Sequence, residues 1–249
     1  MSTDLRAVLF DMGGTIEDLH YTEATRAEAT RGLQRLLAEL GLDPHLPLPQ
    51  LQAVVLAGMK AYAAWRETTE VELPSERVWT EYIFPNNGIS KERMMAAAED
   101  ITFYYESHFH VRALRPDAPA ALAALAERGF RLAVISNILS RRIIQSKLAE
   151  YGIAHYFDAV ITSSNFGWRK PNPRIFLEAA RLVAMPPAAC AYVGDTISRD
   201  VVGAHRSGYG MAIQIKSFLT DKVDKASDVE PPDAVVGNLM QVVNLVSSR

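Results

Sequence analysis

Short apolar runs that each end in a small or polar residue constrain this chain most. Four of them read AVLFDMGG, RLAVISN, YFDAVITSS and CAYVGD, beginning at Ala7, Arg131, Tyr156 and Cys190. They are rich in Val, Ile and Phe and show little alternation, which is typical of parallel strands covered on both faces. The runs therefore predict strands of a parallel sheet whose ends carry polar side chains.

Helical stretches separate these runs. The predicted helices span residues 116–129, 140–152, 171–185 and 199–208. Prolines or a serine begin the first three, and glycines end the first, second and fourth. The third should bury a stripe formed by Ile175, Phe176, Ala179 and Leu182. A last strand and helix are expected near the end of the chain. This alternation predicts an α/β fold with a doubly wound parallel sheet.

One region interrupts the alternation. From about Tyr21 to Arg112 the sequence predicts helices only, and this region follows directly after the first strand. We expect an inserted all-helical domain that caps the strand ends. The predicted organisation is a sheet domain over residues 1–17 and 113–249 and a helical cap over residues 18–112.

Composition and charge exclude several classes of function. The chain has 249 residues and a formal charge of −3, and its arginines are scattered, so we expect neither nucleic acid nor a membrane surface as a partner. No stretch of about eighteen apolar residues is present. The single cysteine, Cys190, excludes a disulfide within the chain and is interpreted as a buried thiol. We expect a cytoplasmic protein.

The residues at the strand ends form a chemically coherent set, because ligands of open parallel sheets bind beyond the carboxyl ends of the strands. Asp11, Ser136 and Asp195 end strands, and Lys170 stands just before a helix. Carboxylates are ligands that Mg²⁺ prefers, and one can also act as a nucleophile. A serine hydroxyl and a lysine can bind phosphate oxygens. The glycines after Asp11 would admit a phosphoryl group and free the Gly13 carbonyl for a metal.

Four motifs in order give a resemblance that covers nearly the whole chain. LFDMGGT, VISN, RKPNPRIF and VGDTISRD resemble the motifs of the haloacid dehalogenase (HAD) superfamily, and the helical insertion resembles its C1-type cap. The resemblance implies a Rossmann-like core and a Mg²⁺-dependent phosphatase that acts on a small phosphorylated metabolite, as a monomer or homodimer. It implies the following site residues: catalytic Asp11, Ser136 and Lys170; substrate-binding Gly14, Thr15 and Asn137; metal-binding Asp11, Gly13, Asp195 and Asp200.

Gly13 departs from this pattern. Phosphatases of the superfamily resemble one another in placing a second aspartate there, which protonates the leaving group and then activates water. General acid–base catalysis contributes about 10² to 10⁴-fold in rate. Three hypotheses follow. The first is a phosphatase that recruits its acid or base elsewhere, from Glu17, Asp18 or a histidine of the cap, or that uses a substrate whose leaving group needs little protonation. The second is a dehalogenase-like hydrolase whose aspartate attacks carbon, and the third is a non-catalytic binding protein.

Two arginines of the helical insertion are further candidates. Arg66 and Arg77 could bind a second anionic group of a substrate. Solvated arginines on a helical surface are the simpler explanation. The sequence does not identify the substrate.

Overall fold

The computed structural model describes residues 4–85, 88–217, 220 and 230–248. Its strands are β1 Ala7–Phe10, β2 Glu17–His20, β3 Val111–Leu114, β4 Arg131–Ser136, β5 Ala159–Thr162, β6 Cys190–Gly194, β7 Met211–Ile215 and β8 Ala234–Val236. Its α-helices are α1 Glu23–Glu39, α2 Leu48–Thr69, α3 Ser75–Arg77, α4 Lys91–His108, α5 Ala118–Glu127, α6 Ile143–Glu150, α7 Ser163–Phe166, α8 Pro173–Leu182, α9 Val202–Arg206 and α10 Leu239–Ser247. Two π-helical segments span Val78–Ile83 and Ile197–Val201.

A six-stranded parallel sheet forms the centre of the first of two compact units, in the order β5-β4-β1-β6-β7-β8. The order reverses at β1, where Phe10 is in register with Val134 on one side and Val193 on the other. The carboxyl ends of β1, β4 and β6 therefore meet at one edge. The predicted doubly wound α/β fold is confirmed.

Three strands differ from the sequence-based expectation. The sequence analysis does not identify β7, although all five of its residues are buried. The region 18–112 was expected to hold helices only, yet β2 and the start of β3 lie within it and pair as a separate two-stranded sheet. Each of these two strands has only four residues. β2 is mostly polar and no residue of β3 is buried, so neither carries the apolar signal on which the prediction depends.

Helix α8 shows how well an apolar stripe predicts burial. Asn172 caps the helix by accepting a hydrogen bond from the Arg174 amide at 3.1 Å. The predicted members Ile175, Phe176 and Ala179 are fully buried. Leu182 is 41% exposed, so its predicted burial is wrong. The helix ends there, and Ala180 and Val183 complete the buried stripe instead.

The second compact unit comprises residues 21–111 and 138–143. Its core contains the fully buried Trp79 and Tyr62, and the Trp79 indole donates to Thr102 Oγ1 at 2.7 Å. No helix among the described residues has the length and apolar character that crossing a bilayer requires.

Residues 138–143 were expected in the sheet domain, and Ser140 was expected to cap a helix there. Instead they group with the helical unit, because Leu139 packs in its core and Glu99 binds the Ser140 hydroxyl at 2.7 Å and the Arg141 amide at 3.0 Å. The helix begins only at Ile143, after this segment. The buried thiol predicted for Cys190 is confirmed.

Candidate active site at the carboxyl ends of the strands

Asp11 follows β1 directly and enters a tight turn. Its amide donates to the Val193 carbonyl at 2.8 Å, which ties it to the neighbouring strand. The Met12 carbonyl then accepts from the amides of Thr15, Ile16 and Glu17 at 2.9 to 3.2 Å. Gly14 has a φ of 84°, a left-handed conformation that favours glycine. The apolar strand and the glycine turn together hold the Asp11 carboxylate at the sheet edge.

Three buried carboxylates meet at this edge. Oxygen atoms of Asp11, Asp195 and Asp200 all lie within 4.8 Å of one another. The neighbouring glycines make this crowding possible, since a Cβ on Gly14 would overlap with Asp195 and a Cβ on Gly194 with Asp200. Gly14 was expected to bind substrate through its amide, but that N–H donates to the Glu17 carbonyl at 2.7 Å.

Lys170 is the cation of this cluster. Its Nζ lies 2.8 Å from Asp11 Oδ1 and 2.7 Å from Asp200 Oδ1, and it donates to the Tyr192 hydroxyl at 2.9 Å. Tyr192 in turn donates to Asp200 Oδ1 at 3.2 Å. Asn137 accepts from the Lys170 amide and donates to its carbonyl, both at 2.9 Å. Asn137, predicted to bind substrate, therefore holds the lysine backbone in this structure.

The remaining carboxylate contacts fix the other two acids. Asp195 accepts from Ser217 Oγ at 2.6 Å and from Thr196 Oγ1 at 2.9 Å. Asp200 Oδ2 accepts from the Thr196 amide at 3.0 Å, while its Oδ1 binds Lys170. Asp200 thus caps a local turn and joins the cluster at the same time.

Burial raises the pKa of Asp11 to about 7, against the opposing effect of Lys170, and the nearby Asp200 and Asp195 raise it further. Burial and Asp200 also raise the pKa of Asp195. Lys170 contacts Asp11 and Asp200, and the positive charge of Arg199 acts on Asp195. The three carboxylates still outnumber these two cations when they ionise. A divalent cation would offset that charge, and oxygen donors are the ligands that Mg²⁺ prefers.

Two of the predicted site residues carry a hydroxyl group: Ser136, on the strand next to β1, and Thr15, four residues after Asp11. Ser136 ends β4 in register with Thr162 and is buried. Thr15 is also buried, and its Oγ1 has no hydrogen-bond partner among the described residues. A buried hydroxyl without a partner is unfavourable, so Thr15 suits a site that a ligand completes.

Two neighbours occupy the space beside Gly13. A Cβ at position 13 would lie 2.5 Å from Leu19 Cδ1 and 4.0 Å from Glu17 Oε1. Glu17 is fully buried and forms an ion pair with Arg112, and the Tyr151 hydroxyl donates to its Oε2 at 2.9 Å. Asp18 is half-exposed and pairs with Arg115 at 3.2 Å.

Sequence reasoning missed Tyr192, Arg112 and Tyr151 among the residues around the site. Tyr192 stands three residues before Asp195 in the AYVGD run, so strand register to β1 could have indicated it. Arg112 and Tyr151 are more than ninety residues from Glu17 in the chain and carry no local signal.

Comparison with known proteins identifies the family of this chain. A family model for haloacid dehalogenase-like hydrolases matches residues 5–208. Glyceraldehyde 3-phosphate phosphatase of Methanopyrus kandleri is 28% identical over 242 residues, 97% of each chain. Phosphoserine phosphatase of Thermus thermophilus is 32% identical over 247 residues, which cover 95% of this chain and 90% of that protein. The crystal structure of a 2-haloacid dehalogenase from Pseudomonas syringae pv. Tomato DC3000 has a TM-score of 0.69 at 23% identity, covering 98% and 99%, and shares the fold.

Proposed function

The chain belongs to the haloacid dehalogenase-like hydrolase family, and we propose that it is a Mg²⁺-dependent phosphatase that hydrolyses a small phosphomonoester through an aspartyl-phosphate on Asp11. The observation that carries the proposal is the buried cluster of Asp11, Asp195 and Asp200 around Lys170. The relatives that are named phosphatases support the same class of reaction. A cluster of buried acids is costly without cations to offset its charge, so a purely structural role explains it poorly.

Asp11, Asp195, Asp200 and the Gly13 carbonyl are the groups that would hold Mg²⁺. Bound there, Mg²⁺ would neutralise charge on the phosphoryl oxygens and on the carboxylates. Lys170 binds Asp11 Oδ1, which leaves Oδ2 as the proposed attacking atom. Attack forms the Asp11–phosphorus bond and breaks the bond between phosphorus and the ester oxygen. Ser136 and Thr15 would bind the transferred phosphoryl group through their hydroxyls.

Glu17 is the proposed replacement for the base that Gly13 cannot provide. Its Oε1 lies 4.0 Å from where a Cβ at position 13 would stand, whereas Asp18 is turned to Arg115. In this structure the Glu17 carboxylate is a hydrogen-bond acceptor, towards Arg112 and the Tyr151 hydroxyl. Glu17 would therefore serve the second step, in which water attacks the phosphorus of the aspartyl-phosphate and releases Asp11. The first step would depend on a good leaving group.

Hydrolysis of p-nitrophenyl phosphate with Mg²⁺ tests the proposal, with Asp11→Asn as the blank. This ester has a good leaving group and needs little acid assistance. We expect activity above the blank that disappears with EDTA and returns with Mg²⁺. Equal rates for the wild type and Asp11→Asn would contradict an aspartyl-phosphate on Asp11.

Glu17→Gln tests the second step, with Asp18→Asn as the matched control next to it in the chain. We expect Glu17→Gln to release about one equivalent of p-nitrophenol per site in a burst and then to turn over about 10² to 10⁴ times more slowly. The burst requires a folded site, so it separates a lost base from a lost fold. An unchanged steady-state rate in Glu17→Gln, or an equal effect of Asp18→Asn, would contradict the role.

Attack on carbon is the second candidate. Haloacid dehalogenases resemble one another in a bulky side chain at the position of Gly13, and here Leu19 fills that space. Release of chloride from chloroacetate without Mg²⁺ would favour this reaction. Asp195 and Asp200 beside Lys170 favour the phosphatase.

A further inference from the structure

The buried arginine Arg115 follows β3 directly and is tied to the turn after Asp11 at two points. Its main-chain amide donates to the Ile16 carbonyl at 3.0 Å. Its side-chain Nη2 donates to the Gly14 carbonyl at 2.8 Å. Gly14 and Ile16 flank Thr15, whose buried hydroxyl has no partner among the described residues. Arg115 therefore fixes the main chain on both sides of Thr15.

The same side-chain nitrogen contacts a second loop. Nη2 of Arg115 also donates to the carbonyl of Lys216, the residue directly after β7, at 2.9 Å. The next residue, Ser217, donates from its Oγ to Asp195 Oδ2 at 2.6 Å. A Cβ on Gly14 would overlap with the same Oδ2, so both loops lie against Asp195. One guanidinium nitrogen thus joins the loop after β1 to the loop after β7.

Two exposed arginines of the other compact unit show a different arrangement. Arg31 pairs with Glu28 at 2.6 Å and Arg77 with Glu81 at 2.7 Å. Arg77, a candidate for binding a second anion in the sequence analysis, is therefore already paired with a carboxylate. Arg115 is instead buried, and the acceptors of its Nη2 are main-chain carbonyls.

The chemistry of the guanidinium suits it to hold two loops at a fixed spacing. Hydrogen bonds from a charged donor are stronger than neutral ones, and the planar guanidinium holds its N–H groups in fixed directions. The Nε of Arg115 lies 3.2 Å from Asp18 Oδ1, which gives the group a third contact. Contacts that orient metal ligands from outside change metal affinity or activity about 10- to 100-fold.

We propose that Arg115 is a positioning residue that couples the loop after β1 to the loop after β7. This coupling keeps Asp11, Thr15 and Asp195 in the arrangement that binds Mg²⁺ and the phosphoryl group. Arg115 acts through the main chain of both loops and not on the reacting atoms. The consequence for Mg²⁺ and for turnover rests on the proposed function, whereas the coupling of the two loops does not.

Hydrogen exchange of the full chain without metal tests the coupling. We expect Arg115→Ala to speed exchange of the amides in residues 11–17 and 212–217 about 10- to 100-fold, as for lost hydrogen bonds to a charged group. Leu125→Ala is the control for lost stability, because it truncates a fully buried side chain on α5. It should not speed exchange selectively in these two segments. Unchanged exchange in Arg115→Ala, or the same selective change in Leu125→Ala, would overturn the proposal.

Calorimetric titration with Mg²⁺ tests the consequence for the site. We expect Arg115→Ala to raise the Kd for Mg²⁺ about 10- to 100-fold. Arg128→Ala is the matched control, because it removes the same charge from an exposed guanidinium that donates to the Ala124 carbonyl at 2.7 Å. It should leave the Kd unchanged. An unchanged Kd in Arg115→Ala, or an equal rise in Arg128→Ala, would overturn the positioning role.

The conservative variant Arg115→Lys separates lost donors from lost packing. Lysine restores a positive charge and N–H donors, so the Kd for Mg²⁺ should return toward the wild-type value. A Kd as high as that of Arg115→Ala would contradict a role for these donors.

Neither measurement needs turnover, so the two proposals fail in different ways. A wild type that binds Mg²⁺ but hydrolyses no phosphomonoester would contradict the proposed phosphatase and leave the role of Arg115 to be decided by its Kd values. A wild type that binds no Mg²⁺ would contradict the proposed function, and hydrogen exchange alone would then decide whether Arg115 couples the two loops.

Discussion

At position 13 a side chain would have to share space with Leu19, whose Cδ1 lies 2.5 Å from where its Cβ would stand. The atom in the way is the end of a flexible side chain, and Gly13 itself has no left-handed φ. An aspartate can therefore be accommodated if Leu19 rotates or is shortened. The site therefore differs from one with an aspartate at position 13 in two ways: the residue is glycine, and Leu19 occupies the space that the side chain would need.

Gly13→Asp should restore general acid catalysis only if the Leu19 side chain moves or is shortened. We expect Gly13→Asp/Leu19→Ala to raise kcat/KM for glycerol 1-phosphate, whose leaving group is poor, about 10² to 10⁴-fold, with a smaller gain in Gly13→Asp alone. The rate with p-nitrophenyl phosphate should change far less. Leu19→Ala alone is the control, and a gain in that variant equal to the double variant would refute the assignment.

A substitution of Asn137 distinguishes a role in positioning Lys170 from a role in binding substrate. Its amide makes two hydrogen bonds to the Lys170 backbone, so Asn137→Ala should loosen Lys170 and lower kcat about 10- to 100-fold, with little change in KM. Steady-state kinetics with p-nitrophenyl phosphate give both constants. A raised KM with an unchanged kcat would instead support the substrate-binding role predicted from the sequence.

Among the elements, β2 and β3 depend on a buried ion pair. Glu17 on β2 and Arg112 on β3 are almost fully buried and face each other. Removing one member of a buried pair leaves an uncompensated charge and costs about 3–5 kcal/mol. Arg112→Met should lower the free energy of unfolding in urea by about that amount.

The matched control is Arg181→Met, which removes a solvent-exposed pair with Glu178 and should leave the free energy of unfolding almost unchanged. The double variant Glu17→Leu/Arg112→Met should regain stability relative to Arg112→Met alone, because no buried charge is left unpaired. Equal urea midpoints for Arg112→Met and Arg181→Met would show that the pair contributes little.

The parallel sheet and the ends of β1, β4 and β6 were accessible from the sequence because parallel strands carry continuous apolar runs and one edge collects their polar ends. Asp11, Ser136 and Asp195 follow from that rule alone. The pairing of β2 with β3 was not accessible, since its polar residues gain their partners only in the folded chain. The Glu17–Arg112 pair and the Tyr151 contact depend on the same long-range folding.

For the whole molecule, the acid cluster links stability to pH and to metal. The unfolded chain gives up the Asp11 proton near pH 3.8, whereas the folded protein without metal holds it up to about pH 7. The folded state therefore binds more protons between these values, and its free energy of unfolding falls as pH rises through that window. Above about pH 7 both states are ionised at Asp11, so this contribution becomes constant.

Mg²⁺ should reverse this loss where the acids are ionised, because a ligand that binds only the folded state stabilises it by mass action. We expect Tm without metal to fall between about pH 4 and pH 7, and 10 mM Mg²⁺ to raise Tm more at pH 7.5 than at pH 5. Differential scanning calorimetry measures both, with Asp11→Asn as the control that should flatten the metal-free slope. A metal-free Tm that rises across this window in the wild type and in Asp11→Asn alike would place the dominant titration outside the cluster and remove the electrostatic reason for a cation there.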